Sequence, residues 1–545
     1  MTATTSLPVV VVGAGPTGLT LAGLFAAAGT PTILVERNPS TSSVPKAISC
    51  DDETLRALTR GRLAYTLDSV LIPGAGTKYL GARGQTLVYA RAQDPPRFGH
   101  PVKSPFSQPD FERELLAGIV RAGGVDLRFG TTVIGLVQDS NAVTVAIRNA
   151  DGSEHRLRAS YVVGCDGGRS TIRGLLGVRM RGESFSDRWL VVDTANDPHN
   201  DRYAIHVGNP HRPHVIVAGR DATCRYEFLL KDSEAPSDVI DHDLLAALLE
   251  PYRTIAPDDV VRQTIYTFHA LNAERWRVGR CFLAGDAAHM MPPFAGQGMN
   301  SGIRDADNLS WKLSMVAAGT APESVLESYE IERRPHAQLM IDLSVKLGRI
   351  VMNTNTTRAR LRDGALRALN IVPPARRWLA QMRFRPRPHY GSGLVTTIGG
   401  ITSPLLGRMF PQPLVLDNSG RTVPLDSVLG DGYCVLMIDP PNREVDARLV
   451  SLAATVTGTV RSLLLADRLP WPASESYSVM DAGFQAELAP LNGKTLLVRP
   501  DRYVAAIFDP DSAPDIERWA RDALVRQPID ASERNPGFST RVGGD

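Results

Sequence analysis

An α/β architecture with more than one sheet is predicted by three features of the chain. Residues 8–35 read as strand, turn, helix and strand. Residues 125–163 and 189–230 carry short alternating runs of the antiparallel kind. Beyond about residue 405, apolar strands return around a helical stretch.

The run PVVVV at 8–12 is short, apolar and β-branched, as a strand buried on both faces would be. Gly13 to Gly18 reads as a turn, Leu19–Ala28 as a helix ending near Gly29, and Thr32–Val35 as a second strand. No charged residue precedes Glu36, and Leu7–Gly29 is long enough to suggest a membrane span. That stretch lacks a basic leader and holds Gly13, Gly15, Pro16, Gly18, Gly23 and Gly29, so a buried strand followed by a packed helix explains it better. Further on, VDLRFGTTVIGLVQ, AVTVAIR and HRLRASYVVGC read as antiparallel strands with Asp151-Gly152 as a hairpin turn. WLVVDTAN, RYAIHV, HVIVAG and RYEFLL form a second sheet. Leu244–Leu249, Ala306–Ala318 and Arg333–Val351 read as helices, the last with Pro335 near its start or at a kink. Residues 373–393 mix Pro, Gly and Arg and read as a domain junction with a solvated basic face. CVLMID, RSLLLA and TLLVRPDRYVAAIF are the later strands, and GFSTRVGGD reads as a frayed end.

Composition narrows the function classes. The 545 residues include 60 Lys+Arg against 58 Asp+Glu, so the net charge of +2 draws neither nucleic acid nor an anionic membrane. Hydrophobic residues at 43% and charged residues at 22% describe an ordinary globular chain rather than a disordered one. The five cysteines are scattered without a C-x-x-C pair, which fits a reducing compartment and a cytoplasmic location. His206, His211 and His214 are separated by Pro210 and Pro213 and lack a helical carboxylate–His pair, so no metal is expected. No G-x-S-x-G supports a serine hydrolase.

Three motifs carry chemistry. Gly13-Ala14-Gly15-Pro16-Thr17-Gly18 fits G-x-G-x-x-G between a strand and a helix. Gly13 allows the tight turn, Gly15 lets backbone approach a pyrophosphate, and Gly18 lets helix and strand pack closely. Glu36 ends the second strand, where an acid accepts a ribose hydroxyl. Gly74-Ala75-Gly76 with Gly81 has the wrong spacing for a second such site. Val162 to Ser170 is an apolar strand running into Asp166-Gly167. Cys281 to His289 repeats that grammar at Gly285-Asp286 and leads through Pro293, Gly296 and Gly298 into a helix. Small residues at 296 and 298 admit a planar ligand, and the helix start at Met299 and Asn300 would face developing negative charge.

Taken together, GAGPTG with Glu36, CDGGRS and GDAAHMMPPFAGQGMNSGIRDADNLSWKL resemble the single-component FAD-dependent aromatic hydroxylases over roughly residues 8–350. PKAISCDDETLR, VVDTANDP, RYEF and MIDLSV resemble the 3-(3-hydroxyphenyl)propionate hydroxylase branch, and RPDRYVAA resembles its thioredoxin-like C-terminal domain.

The resemblance implies a discontinuous Rossmann-like FAD-binding domain at 1–75, 106–183 and 269–372, the last part with further helices. It implies an interposed, mainly antiparallel substrate domain at 76–105 and 184–268, a linker at 373–404 and a thioredoxin-like domain at 405–545. The glycines, Pro16, Thr17, Glu36 and Arg37 would hold the ADP half of FAD. Gln108, Gly285 and Asp286 would hold the flavin side, with Pro293, Gly296 and the backbone of Gly298, Met299 and Asn300 against the ring. Asp166 and Gly167 belong to a motif shared between FAD and NADH or NADPH. Lys46 stands where the family usually has Arg. The implied reaction takes O₂ and a phenolic ring through a flavin C4a-hydroperoxide to a product hydroxylated next to the existing hydroxyl. Tyr266, His269 and His206 are the candidates for removing the phenol proton. Arg212 and Arg225 are the candidates for a substrate carboxylate, with Phe294 in the pocket. A polycyclic substrate, a Baeyer–Villiger oxygenation, a non-oxygenating flavin reductase or scaffold, and a homodimer are left open.

Overall fold

The computed structural model describes residues 7–72, 76–90, 96–199, 201, 203–234, 241–441, 443–465, 469–471 and 475–525. The stretch GFSTRVGGD and the pair Gly74-Ala75 lie outside them.

A six-stranded sheet forms around Val9–Val12. Its order is Arg277–Val278, Cys281–Leu283, Tyr161–Gly164, Val9–Val12, Thr32–Val35 and Val125–Arg128. All neighbours run parallel except the Arg277–Val278 hairpin strand. The central valines are buried because the sheet is covered on both faces. Helix Pro16–Ala27 packs on helices Gln108–Ala122 and Gly298–Ala317.

Two segments expected in an antiparallel sheet belong here instead. Val125–Arg128 is the parallel edge strand, and Tyr161–Gly164 lies beside Val9–Val12. An edge strand is only partly covered, so VDLR alternates as an antiparallel strand would. Thr132–Gln138, Val143–Arg148 and Glu154–Ala159 do form an antiparallel sheet, turning through Gly152 at φ +85°.

The largest sheet has eight strands. In order they are His289–Met290, Val260–Ala273, Met180–Thr194, Cys224–Leu229, His214–Ala218, Ala204–Val207, Thr77–Leu80 and Thr86–Ala90. Only Ala204–Val207 and Thr77–Leu80 pair in parallel. His289–Met290 follows the Gly285–Ala287 turn directly, so this sheet is stitched to the first.

The helices extend beyond the segments expected of them. The segment read at Ala306–Ala318 is the later part of a helix Gly298–Ala317, which opens where a helix start was expected at Met299 and Asn300; its first turns bury the polar side chains Asn300, Ser301, Arg304 and Asp305. An inward polar face hides the apolar period that marks a helix. Glu327–Val351 runs unbroken through Pro335. Within the expected junction, Pro373–Ala380 is a helix with Pro in its first turn. The junction's arginines are exposed as expected, Arg387 among them where it stacks over Phe98, except Arg385, which is half-buried and lies 3.3 Å from Asp51.

The third large sheet has seven strands, in the order Thr422–Pro424, Leu414–Leu416, Ser476–Val479, Thr459–Leu464, Cys434–Ile438, Thr495–Val498 and Val504–Phe508. Arg499 joins it to the rest of the molecule. Its guanidinium donates to Glu332 at 2.7 and 2.8 Å and to Asp501 at 3.0 and 2.7 Å, all fully buried. Lys312 also donates to Glu332 at 2.8 Å. Burial opposes the charge on Glu332, yet Arg499 and Lys312 hold its carboxyl well below the usual range. Glu332→Ala strands these cations and should lower unfolding free energy by roughly 3–5 kcal/mol, read by urea denaturation.

Candidate active site

A cavity of about 450 Å³ opens between the first sheet's strand ends and one face of the eight-stranded sheet. Its floor is built from glycine backbone. Gly13 has φ +106°, and a Cβ there would lie 2.5 Å from the Cys165 carbonyl. A Cβ on Gly18 would lie 1.9 Å from the Gly13 carbonyl. Gly15 has no atom within 4 Å of that position and opens into the cavity. Helix Pro16–Ala27 starts there without a side-chain cap, so its first N–H groups are free. Glu36 closes the loop by accepting the Ala14 N–H at 2.8 Å.

The second motif braces the third. Asp166 accepts from Ser170 and from the Ile172 N–H, and Arg173 donates to the Ala287 carbonyl at 3.0 Å and the Gly168 carbonyl at 2.7 Å. Gly285, at φ +61°, lies so close to Thr17 that a Cβ would approach Thr17 Oγ1 to 2.6 Å. Behind this turn, buried Asp305 accepts from the Gly285 N–H at 3.1 Å, Arg333 at 2.9 Å and His289 at 2.8 Å. Burial opposes its charge, but His289 and Arg333 hold its carboxyl below the usual range. Asp286 instead opens into the cavity, where enclosure by protein pushes its carboxyl up. Helix Gly298–Ala317 likewise has no side-chain cap and points its free first turn at the cavity. Asn300 fixes that turn by donating to the Gly296 carbonyl and accepting the Asp51 N–H. Gln108 accepts the N–H groups of Lys46 and Ala47 at 2.9 and 2.6 Å, pinning that loop over the opening.

Strand register builds the opposite wall. Tyr79, His206, Val215 and Glu227 are paired in turn across four strands, as are Thr77, Ala204, Val217 and Arg225. Paired residues, and residues two apart on one strand, share a face. All of these except Arg225 line the cavity, with Lys103 and Phe294 beside them. His206 stacks on Tyr79 at 5.0 Å. Burial and the nearby Lys103 charge pull its imidazole down to about 3. Burial also lowers the Lys103 ammonium to about 8 and pushes the Glu227 carboxyl up, although Arg225 opposes the latter.

Residues 6–344 match the family described as FAD binding domain, and residues 407–522 match the HcaD C-terminal domain. The 3-(3-hydroxy-phenyl)propionate/3-hydroxycinnamic acid hydroxylase of Mycolicibacterium smegmatis is 37% identical over 94% of this chain and 92% of its own. The chain belongs to the FAD-dependent aromatic hydroxylases. A relative of the same name from Burkholderia cenocepacia is also 37% identical, over 92% of this hydroxylase and 94% of its own length. Among solved structures, OxyS anhydrotetracycline hydroxylase from Streptomyces rimosus aligns with a TM-score of 0.75 at 27% identity, covering 96% of this chain and 99% of that one. The flavin-dependent monooxygenase PieE shares the fold at a TM-score of 0.78 and 23% identity, covering 95% of this chain and 98% of that one.

The hydroxylase has a floor that fits FAD. An open Gly15, two uncapped helix starts and an acid at the end of the second strand are what a dinucleotide with an anionic pyrophosphate requires. Every residue expected to hold the cofactor lines the cavity except Gly18 and Gly285, which stand behind it as close-packing glycines. Arg37 lies on its exposed rim.

The other expected residues divide. Of the three candidate bases, His206 lines the cavity, whereas Tyr266 and His269 are not among its lining residues. The Tyr266 hydroxyl accepts from Arg262, and the His269 ring bonds Ser184 Oγ at 2.8 Å. Neither arginine is free for a substrate acid. Arg212 lies outside the lining and is clamped to Glu234 at 2.6 and 2.5 Å. Arg225 is held by Asp193 at 2.6 Å and by the carbonyls of Pro45 and Lys46. Phe294 does line the cavity, packed edge-on against Trp189 and Phe268. Glu227 and Lys103 also line the cavity, at places set by sheet register and loop path that the sequence does not display. No His/Cys/Asp/Glu cluster among the described residues could hold a metal ion, and no helix among them is long and apolar enough to cross a membrane.

Gly15→Ala should leave the apoprotein's thermal stability unchanged yet weaken FAD at least about tenfold in a fluorescence titration. A second expectation concerns acid. The folded chain keeps His206 neutral down to about 3, while the unfolded chain protonates it near 6.5. Stability is therefore complete above that upper value and falls as pH drops through the window. His206 alone should remove roughly 2 kcal/mol by about pH 5. His206→Asn should flatten urea-derived stability against pH there.

Proposed function

We propose that the enzyme hydroxylates a phenol bearing a short carboxylate side chain, of the 3-(3-hydroxyphenyl)propionate type, next to its existing hydroxyl. NADH or NADPH is the reductant and O₂ the oxidant. The observation that carries this reading is one cavity that joins a dinucleotide floor to a wall where an apolar slot is flanked by Thr77, Tyr79, Lys103, His206 and Glu227. Full-length relatives named for such acids support the same choice.

FAD, when bound, supplies hydride acceptance and oxygen activation. The chain supplies the surroundings. Val215, Val217, Ala204 and Phe294 give a flat apolar slot that orients a ring and keeps water out. The free N–H groups at Gly298, Met299 and Asn300 favour negative charge at the floor. Glu227 accepts the phenol proton: it faces the cavity, and burial makes its carboxylate a stronger base than an exposed one.

We further read the first sheet as the FAD domain, the eight-stranded sheet as the substrate domain and the seven-stranded sheet as thioredoxin-like. The last reading rests on the order Thr459–Leu464, Cys434–Ile438, Thr495–Val498, Val504–Phe508, with only the first pair parallel. Five free, buried cysteines suit a cytoplasmic enzyme.

The test is steady-state turnover of FAD-loaded protein with either nicotinamide cofactor and a panel of phenols. The phenylpropionate should accelerate NAD(P)H oxidation and yield a catechol in step with it. Glu227→Gln should cut turnover roughly 10²-fold or more near neutral pH and regain part of it where the phenol ionises by itself. No acceleration by any phenolic acid would overturn the reading.

A further inference from the structure

Resting on the phenolic-acid reading above, we infer that Lys103 is the counter-ion for the substrate's carboxylate, with Thr77 as its positioning partner. Lys103 reaches the cavity from the segment preceding Ser104–Pro105 and donates to Thr77 Oγ1 at 2.9 Å. An ammonium has three donors, so further N–H groups are available to a ligand oxygen. Among the described residues no carboxylate lies within ion-pair distance of it.

Its neighbours differ in this respect. Arg225 and Arg262 share Asp193, and Arg385 is held by Asp51, Asp52 and Glu53. Lys46 lies on the cofactor side, near enough to Asp286 and Glu112 to influence both. Lys103 is therefore the cation on the sheet wall whose charge is left for a ligand. The groups around it, Thr77, Tyr79 and His206, bring no anion of their own. An enclosed positive charge with no acid beside it favours a ligand that brings one negative charge. A single ammonium with Thr77, Tyr79 and His206 around it matches a monoanionic carboxylate better than a phosphate.

Spacing agrees. Thr77 and Tyr79 lie three strands from Glu227, a backbone separation of roughly 14 Å. A phenol with a three-carbon acid, plus a hydrogen bond at each end, spans a comparable distance. The ring then lies against Val215 and Val217, with its hydroxyl towards Glu227 and its acid at Lys103.

The experiment titrates FAD-loaded wild type, Lys103→Met and Lys103→Arg, following the flavin absorbance change. The probes are 3-(3-hydroxyphenyl)propionate and the neutral 3-(3-hydroxyphenyl)propan-1-ol. Lys103→Met should weaken the acid roughly 30-fold and leave the alcohol within about threefold, and Lys103→Arg should keep most of the acid affinity. Equal weakening of both probes, or no change for the acid, overturns the assignment while the phenolic-acid reading stands. Wild type that binds neither probe overturns both.

Discussion

The structure depends on one buried carboxylate. Asp305 has no exposure, and it gathers the Gly285 N–H, the His289 ring and the Arg333 guanidinium at 2.8 to 3.1 Å. Those three groups come from the turn below the cavity, the strand leaving it and the long helix behind it. A lone buried charge would be prohibitive; paired with two donors and a backbone amide, it becomes a fixed point. The Thr17–Gly285 contact and the Arg173 bonds to both strand-end loops transmit that position to the glycine turn. The cavity floor is therefore braced by the protein's own hydrogen bonds and close contacts.

Local chemistry made this floor legible. Gly13, Gly15 and Gly18 each have a distinct steric reason, and such reasons survive in a bare sequence. The sheet wall was not legible in the same way. Tyr79, His206, Val215 and Glu227 come from four strands and meet only through their pairing. The same runs of residues would line a different surface if the pairing slipped by one residue. Lys103 illustrates the limit: a lysine between prolines gives no hint that its ammonium turns inward.

The arginines misled for a related reason. Arg212 and Arg225 have the forked geometry that grips a carboxylate, and both do grip one, but the acids are Glu234 and Asp193 of the protein itself. Residue type predicted the interaction and not the partner. The first turns of the helix that opens at Gly298 lack an apolar rhythm for a similar reason, because Asn300, Ser301, Arg304 and Asp305 face inward. A polar face turned to the interior is invisible to a search for hydrophobic stripes.

The short strand His289–Met290 has a mechanical meaning. Its backbone is hydrogen-bonded into the edge of the eight-stranded sheet, while the residues immediately before it form the turn held by Asp305. Ceiling and floor thus share one continuous piece of chain, anchored at both ends. The place of the ceiling's edge and the place of the floor at Gly285 are set by the same few residues of backbone.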